Sequence, residues 1–127
     1  MTIAISGFEK LLKEKGDFLE KHRVFCVPVY GKERSKPTEY QCVRFRSDPL
    51  PIQEGVSYFL AQQIAQKQKV SLTKYDFGRG EDEVLERYVF STECLDEKDF
   101  QSVLERISRA THELTSALDR VVKRFIT

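Results

Sequence analysis

The sequence has little of what usually marks a chemical site. Its only two histidines are His22 and His112, and its three cysteines, Cys26, Cys42 and Cys94, show no CxxC spacing. No HxxxH pair is present, so the ligand spacing of a structural zinc site is missing. No serine or cysteine stands beside a histidine in a recognisable triad spacing. We therefore predict no catalytic residues, no metal and no cofactor, and a protein that is not an enzyme.

An excess of one charge and long apolar runs are also missing. The formal net charge is +1, which makes no general case for nucleic acid, anionic membranes or acidic substrates. No stretch approaches the ~20 apolar residues of a membrane span, and residues 1–7 lack the basic leader and apolar run of a signal peptide. An odd number of scattered cysteines favours free thiols in a reducing compartment. These features predict a cytoplasmic protein that does not enter a membrane.

The length and composition are those of one ordinary globular domain. The chain has 127 residues, of which 40% are hydrophobic and 32% charged. A chain of this size can bury roughly two thirds of its unfolded surface without a metal or a disulfide. We therefore expect a single domain over residues 1–127.

The most regular segment is Asp96–Ile126, which predicts one long amphipathic helix. Its apolar residues recur every three or four positions: Phe100, Val103, Leu104, Ile107, Ala110, Leu114, Ala117, Leu118, Val121, Val122, Phe125 and Ile126. Asp96 is a candidate N-cap, and Lys123 and Arg124 lie in the last turn, where the helix dipole favours cations. Such a helix is about 45 Å long, more than this domain needs to cover its own sheet. It is therefore either a core helix or a core helix that also contacts a second copy through Phe100, Ile107, Leu114 and Val121.

The remaining pattern predicts two repeats of a helix followed by a hairpin. The expected segments are helix Ser6–Lys21, strands Arg23–Tyr30 and Glu39–Arg46, helix Gln53–Lys67, and strands Val70–Phe77 and Val84–Ser91. Gly16 predicts fraying or a break in the first helix. Ser47–Gly55 is too short to separate two domains. The fold class predicted is α+β: a four-stranded antiparallel sheet, with a fifth strand as an alternative, helices on one face, and the order α-β-β-α-β-β-α.

The first hairpin carries the strongest polar pattern. Five cations, with Tyr30 and Tyr40 interleaved, form a basic strip: Lys32, Arg34, Lys36, Arg44 and Arg46. Cations beside aromatic rings can contact a nucleic-acid backbone and stack on its bases. A turn centred near Arg34 would also set Cys26 opposite Cys42, although buried inert thiols are the simpler interpretation. The acidic run Glu81–Glu83 is expected to be a solvated turn.

The order of elements resembles the type III secretion chaperone-like fold. The residues that carry the resemblance are Phe8, Leu11 and Leu12 of the opening helix, the two hairpins, and the terminal helix from Phe100 to Phe125. The resemblance implies a small α+β domain that dimerises and binds extended segments of partner proteins. It also implies a third strand before the middle helix, for which Pro49–Gly55 is the available segment.

We therefore predict a chaperone-like, protein-binding adaptor that acts through a homodimer. The expected association surface is the exposed part of the terminal stripe, Leu114, Leu118, Val121 and Phe125. The alternative is a nucleic-acid-binding accessory protein that uses Lys32, Arg34, Lys36, Arg44 and Arg46.

Overall fold

A computed structural model of the chain confirms the α+β class. It describes residues 3–30, 39–52, 55–79 and 84–126, and among these the side chains of all but 77–79, 84–86 and 122–126. In the described residues there are three α-helices, a four-stranded antiparallel sheet and a two-stranded sheet. In chain order the elements are β1 (Ile3–Ala4), α1 (Ile5–His22), β2 (Phe25–Val29), β3 (Glu39–Tyr40), β4 (Cys42–Arg46), α2 (Val56–Gln68), β5 (Ser71–Arg79), β6 (Val84–Cys94) and α3 (Phe100–Ile126), with one 3-10 turn at Glu97–Asp99.

The larger sheet has the strand order β2-β4-β6-β5, with every neighbour antiparallel. The two predicted hairpins therefore join into one sheet through β4 and β6. The alternative fifth strand is wrong for residues 49–52 and 55, the described part of its segment, which contain no strand. Leu50 nevertheless donates its N–H to the Tyr88 carbonyl at 2.9 Å, so this segment still lies along β6. β1 and β3 instead form a separate pair, with Ile3 opposite Tyr40.

Ser47 fastens the end of β4 to β6 from inside the core. Its side chain is 1% exposed. The hydroxyl accepts the Phe90 N–H at 2.9 Å and donates to the Asp48 carbonyl at 2.9 Å. The Ser47 N–H donates in turn to the Phe90 carbonyl at 2.8 Å. Because the hydroxyl replaces a backbone acceptor, the chain leaves the strand here without leaving the Phe90 amide unsatisfied.

Helix α3 lies at the centre of the helical layer, over the two central strands. Its N-terminal half fills the core with fully or almost fully buried side chains: Phe100, Val103, Leu104, Ile107, Ala110 and Leu114. The Phe100 ring packs on Phe45 of β4, with centroids 5.6 Å apart. On one side His22 of α1 is 3.1 Å from the Ser108 hydroxyl. On the other side Gln68 of α2 donates to Glu113 at 2.6 Å.

Both α1 and α2 end in the same way. Arg23 (φ 52°) and Lys69 (φ 57°) adopt the left-handed conformation just after the last helical residue. The next residue, Val24 or Val70, donates its N–H back to the carbonyl of Leu19 or Ala65 at 2.9 and 3.0 Å. This is the Schellman arrangement, in which a buried apolar residue normally follows the left-handed one. The two helix-to-strand joins thus repeat a basic residue followed by valine.

The ends of the helices differ in detail from the sequence prediction. Helix α1 begins at Ile5 with Ala4 at the N-cap position, so Ser6 is not its cap, and it continues without a break through Gly16. Asp96 does cap the final helical segment, since its carboxylate accepts the Lys98 N–H at 3.1 Å. The predicted single helix from Asp96 is therefore a 3-10 turn that leads into α3.

Candidate functional site: the open face of the sheet

The strand register divides the sheet into a covered face and an open face. Val43, Phe45, Phe90 and Cys94 belong to the core cluster that includes the helices. Side chains alternate along a strand and directly opposed residues share a face, so the intervening residues lie on the other side. That set, which we call the open sheet face, comprises Phe25, Val27, Val29, Cys42, Arg44, Arg46, Ser71, Thr73, Tyr75, Arg87, Val89, Ser91 and Glu93.

The open sheet face contains a groove of about 550 Å³. Val27 of β2 and Tyr75 of β5 stand on opposite sides of it, and Val89 of β6 lies between them at 1% exposure. Around this floor Phe25, Val27 and Tyr75 remain 36%, 43% and 37% exposed. Hydroxyl groups also line the groove, and Thr73 and Ser91 are hydrogen-bonded to each other at 3.1 Å. The surface therefore combines an apolar floor with hydrogen-bonding groups at its sides.

An aromatic–arginine–aromatic stack crosses this groove. The guanidinium carbon of Arg46 lies 4.4 Å from the centroid of the Phe25 ring and 4.4 Å from that of Tyr75. Its Nη1 also donates to the Ser47 carbonyl at 3.1 Å. A cation over an aromatic ring gains about 0.5–1 kcal/mol at an exposed site. The stack joins β2, β4 and β5, so the two edge strands and a central strand contribute to one recognition surface.

The charge on this face is mostly positive. Its described residues include three arginines, Arg44, Arg46 and Arg87, and one acid, Glu93. Arg44 and Glu93 are directly opposed on β4 and β6 and form an ion pair at 2.8 Å. This pair neutralises one cation within the protein and fixes its position.

The structure describes only two of the five cations in the predicted basic strip. Arg44 and Arg46 lie on the open sheet face, whereas Lys32, Arg34 and Lys36 lie outside the described residues. The two tyrosines do not join the arginines in one row. Tyr40 is buried, with its ring centroid 5.6 Å from that of Phe8 and 5.3 Å from that of Tyr30, which is 68% exposed.

The predicted association stripe on α3 needs one correction. Leu114 is 0% exposed because it packs inside the core of its own chain, so it is not part of an exposed surface. Leu118 is half-buried against the same core, and Val121 is 42% exposed. The side chain of Phe125 lies outside the described residues. Helix α3 thus changes from core to surface between residues 114 and 121.

The three cysteines are separated, with Cys42 and Cys94 buried and Cys26 partly buried. The prediction that Cys26 faces Cys42 is wrong, since Cys26 pairs with Phe45 and Cys42 with Val29, and the two thiols lie on opposite faces. All three cysteines are free. Burial raises the pKa of the Cys26 thiol to about 12. Burial also raises the pKa of Cys42 and of Cys94, whose thiol donates to the Asp96 carbonyl at 3.0 Å. These environments disfavour the reactive thiolate.

The remaining candidates give no cluster of ligands. His112 is exposed on α3. Within the described ranges no group of three or more histidine, cysteine or acidic side chains could hold a metal ion, and the acidic run Glu81–Glu83 lies outside those ranges. None of the helices in the described part of the chain is long and apolar enough to cross a membrane.

The open sheet face escaped the sequence analysis, although one signal pointed to it. Strand β2 is apolar on both faces, with Val27 on the side that the helices do not cover. Tyr75 had no such signal, because only the register of β5 against β6 shows which face it shares. A comparison of this chain with protein-family models, with curated proteins and with solved structures finds no match.

Proposed function

We propose that this protein is a non-catalytic, chaperone-like adaptor that works as a homodimer and holds an extended segment of a partner protein on the open sheet face. The observation that carries the proposal is the set of exposed apolar side chains, Phe25, Val27 and Tyr75, around a groove on the uncovered side of the sheet. Phe45 and Phe90 are 0% exposed on the helical side of the sheet, and the three exposed side chains lie on the opposite side. An apolar surface that the fold does not need is typical of a binding site.

The shape and chemistry of the groove support a chain segment as its occupant. Closed pockets suit small molecules because they bury most of the ligand surface. This groove instead lies open along the sheet, with the exposed side chains of Val27 and Tyr75 on opposite sides and with two hydrogen-bonded hydroxyls among its lining groups. An extended peptide can place apolar side chains against Val27 and Tyr75 and direct its carbonyl groups to the hydroxyls and the arginines. The layout resemblance is to proteins that bind partners in this extended form.

A peptide selection tests this proposal with a matched pair of variants. Peptides selected from a random displayed library on the wild-type protein should bind Val27→Asp at least about tenfold more weakly, a loss of about 1.4 kcal/mol. Leu12→Asp is the control, because Leu12 of α1 is 44% exposed, against 43% for Val27, and lies in the helical layer. Its binding should stay within about twofold of wild type. Equal binding by both variants, or a loss confined to Leu12→Asp, would contradict the proposal.

Nucleic-acid binding is the second candidate, favoured by the rings and three arginines on one face. Single-stranded nucleic acid binds where cations track its backbone and rings stack on its bases. Fluorescence anisotropy with a labelled single-stranded oligonucleotide should then show binding that weakens steeply with salt. The double variant Arg44→Glu, Arg46→Glu should abolish it. Binding that is unchanged by this double variant excludes the open sheet face as the nucleic-acid site.

A further inference from the structure

The two edges of the large sheet differ in how they are protected. Edge strand β2 has five residues with Pro28 inside it, and proline cannot donate to a further strand. Edge strand β5 has nine residues, Ser71–Arg79, without a proline. Among the described strands it pairs with β6 alone, and five of its first six residues are exposed: Ser71, Thr73, Lys74, Tyr75 and Asp76. A long exposed edge of this kind is a template for another strand.

The charges on β5 are complementary to a second copy of the same strand. In an antiparallel pair about a two-fold axis, opposed residues share a face, so the axis passes through one residue. An axis at Lys74 or at Asp76 opposes identical charges. An axis at Tyr75 sets Lys74 opposite Asp76 of the second copy and repeats this pairing on the other side. Opposite charges in such positions stabilise a strand pair, whereas like charges destabilise it.

We propose that two copies of the chain join edge to edge through β5, about a two-fold axis at Tyr75. The strand pair is centred on residues 74–76, since the ladder with β6 is regular from Ser71 to Asp76 and a bulge follows before Arg79. The two four-stranded sheets then form one continuous antiparallel sheet, and the two open sheet faces lie side by side. This inference rests on the homodimer of the proposed function, and it does not depend on which ligand the open sheet face binds.

Disulfide trapping tests the position of the axis. Opposed Cα atoms across an antiparallel pair lie about 4.5–5.5 Å apart, within the ~4.4–6.8 Å that a disulfide spans. Tyr75→Cys should therefore give a disulfide-linked dimer under mild oxidation. Thr73→Cys is the control, because the two copies of residue 73 would be roughly 14 Å apart. Both positions are exposed on the same face of the same strand, and wild type reports any contribution of the native thiols.

Charge exchange tests the register without a new covalent bond. Lys74→Asp and Asp76→Lys each replace two complementary pairs by two like-charged pairs, so each should raise the dimer dissociation constant by about tenfold or more. The double variant Lys74→Asp, Asp76→Lys exchanges the charges and should restore the wild-type constant. Sedimentation velocity over a concentration series measures all four proteins, and thermal unfolding of each shows whether the fold is retained.

Each of the four outcomes below either supports or overturns the edge-to-edge dimer through β5. Trapping at position 75 but not at 73, with weakening by each single exchange and recovery in the double variant, supports it. Trapping at position 73 alone moves the axis and overturns the register. A dimer that is trapped at neither position and ignores both exchanges places the contact elsewhere, such as the exposed end of α3, and leaves the homodimer intact. A wild-type chain that stays monomeric at high micromolar concentration overturns the inference together with the homodimer, while the peptide selection still tests the open sheet face.

Discussion

Alanine substitution at Gly16 and at Gly55 should change the free energy of unfolding in opposite directions. A Cβ atom built on either glycine meets no heavy atom within 4 Å, so neither substitution gains or loses packing. The difference lies in the backbone alone. Gly16 lies inside the continuous helix α1, whereas Gly55, at the N-cap position of α2, has φ 110° and ψ −139°. Only glycine adopts the second conformation without strain.

The magnitudes follow from these conformations. Alanine in a helix interior is favoured over glycine by about 0.8–1 kcal/mol, so Gly16→Ala should stabilise the protein by that amount. At Gly55 an alanine side chain costs on the order of 1–3 kcal/mol of strain, reduced by about 0.4–1 kcal/mol because alanine also restricts the unfolded chain. We therefore expect Gly55→Ala to destabilise by up to about 2.5 kcal/mol.

Urea unfolding followed by circular dichroism at 222 nm measures both effects. The two midpoints should move to opposite sides of wild type with unchanged m-values, because the surface exposed on unfolding stays the same. In thermal unfolding each 1 kcal/mol corresponds to roughly 3–5 °C at this chain length. Stabilisation by Gly55→Ala would refute the left-handed backbone at the start of α2. Destabilisation by Gly16→Ala would refute an unbroken α1.

Three further predictions concern single side chains. Ser47→Ala should destabilise the protein by about 1–3 kcal/mol, because the buried Phe90 N–H loses its acceptor, and hydrogen exchange at the Phe90 amide should accelerate. An unchanged exchange rate would contradict the hydrogen bond between Phe90 and Ser47. Leu114→Ala should lower the free energy of unfolding by about 2–5 kcal/mol, whereas Val121→Ala should change it by no more than about 0.5 kcal/mol, as measured by urea unfolding. Equal losses would contradict the division of α3 into a core half and a surface end. The thiol of Cys26 has an ordinary pKa of 9.0 that burial raises to about 12, so between these values the unfolded chain releases a proton that the folded chain keeps. Stability should therefore fall as pH rises from about 9 to about 12, and Cys26→Ala should make that fall shallower; an identical pH profile in both proteins would refute the burial of this thiol.

The arrangement of helices and strands could be predicted because it depends on periodicity. The stripe from Phe100 to Leu114 and the alternation in β4 each identify an element and the face that it buries. The helix ends were harder. Arg23 and Lys69 occupy left-handed positions where glycine is usual, so the sequence gives no local signal for them. The pair β1–β3 joins residues that are 35 and 37 positions apart, and no local pattern predicts such a contact.

The candidate site depends on register, which the sequence predicted wrongly. A turn assumed near Arg34 set Cys26 against Cys42, whereas the observed partner of Cys26 is Phe45. A shift by an odd number of residues moves every side chain of a strand to the other face. The Arg46 stack also needs Phe25, one strand away, and Tyr75, two strands away. Only the assembled sheet brings these three residues together.

The central position of α3 sets when the domain can fold during synthesis. Translation proceeds from the N-terminus, so α3 leaves the ribosome after every other described element, although its first half fills the middle of the core. Until then the covered face of the sheet, with Phe45 and Phe90, has no helix α3 to bury it. A nascent chain in this state exposes apolar surface and unpaired strand edges, which are prone to aggregate. We therefore expect this domain to fold in one step once α3 has been made, and nascent chains that stop before α3 to need a chaperone.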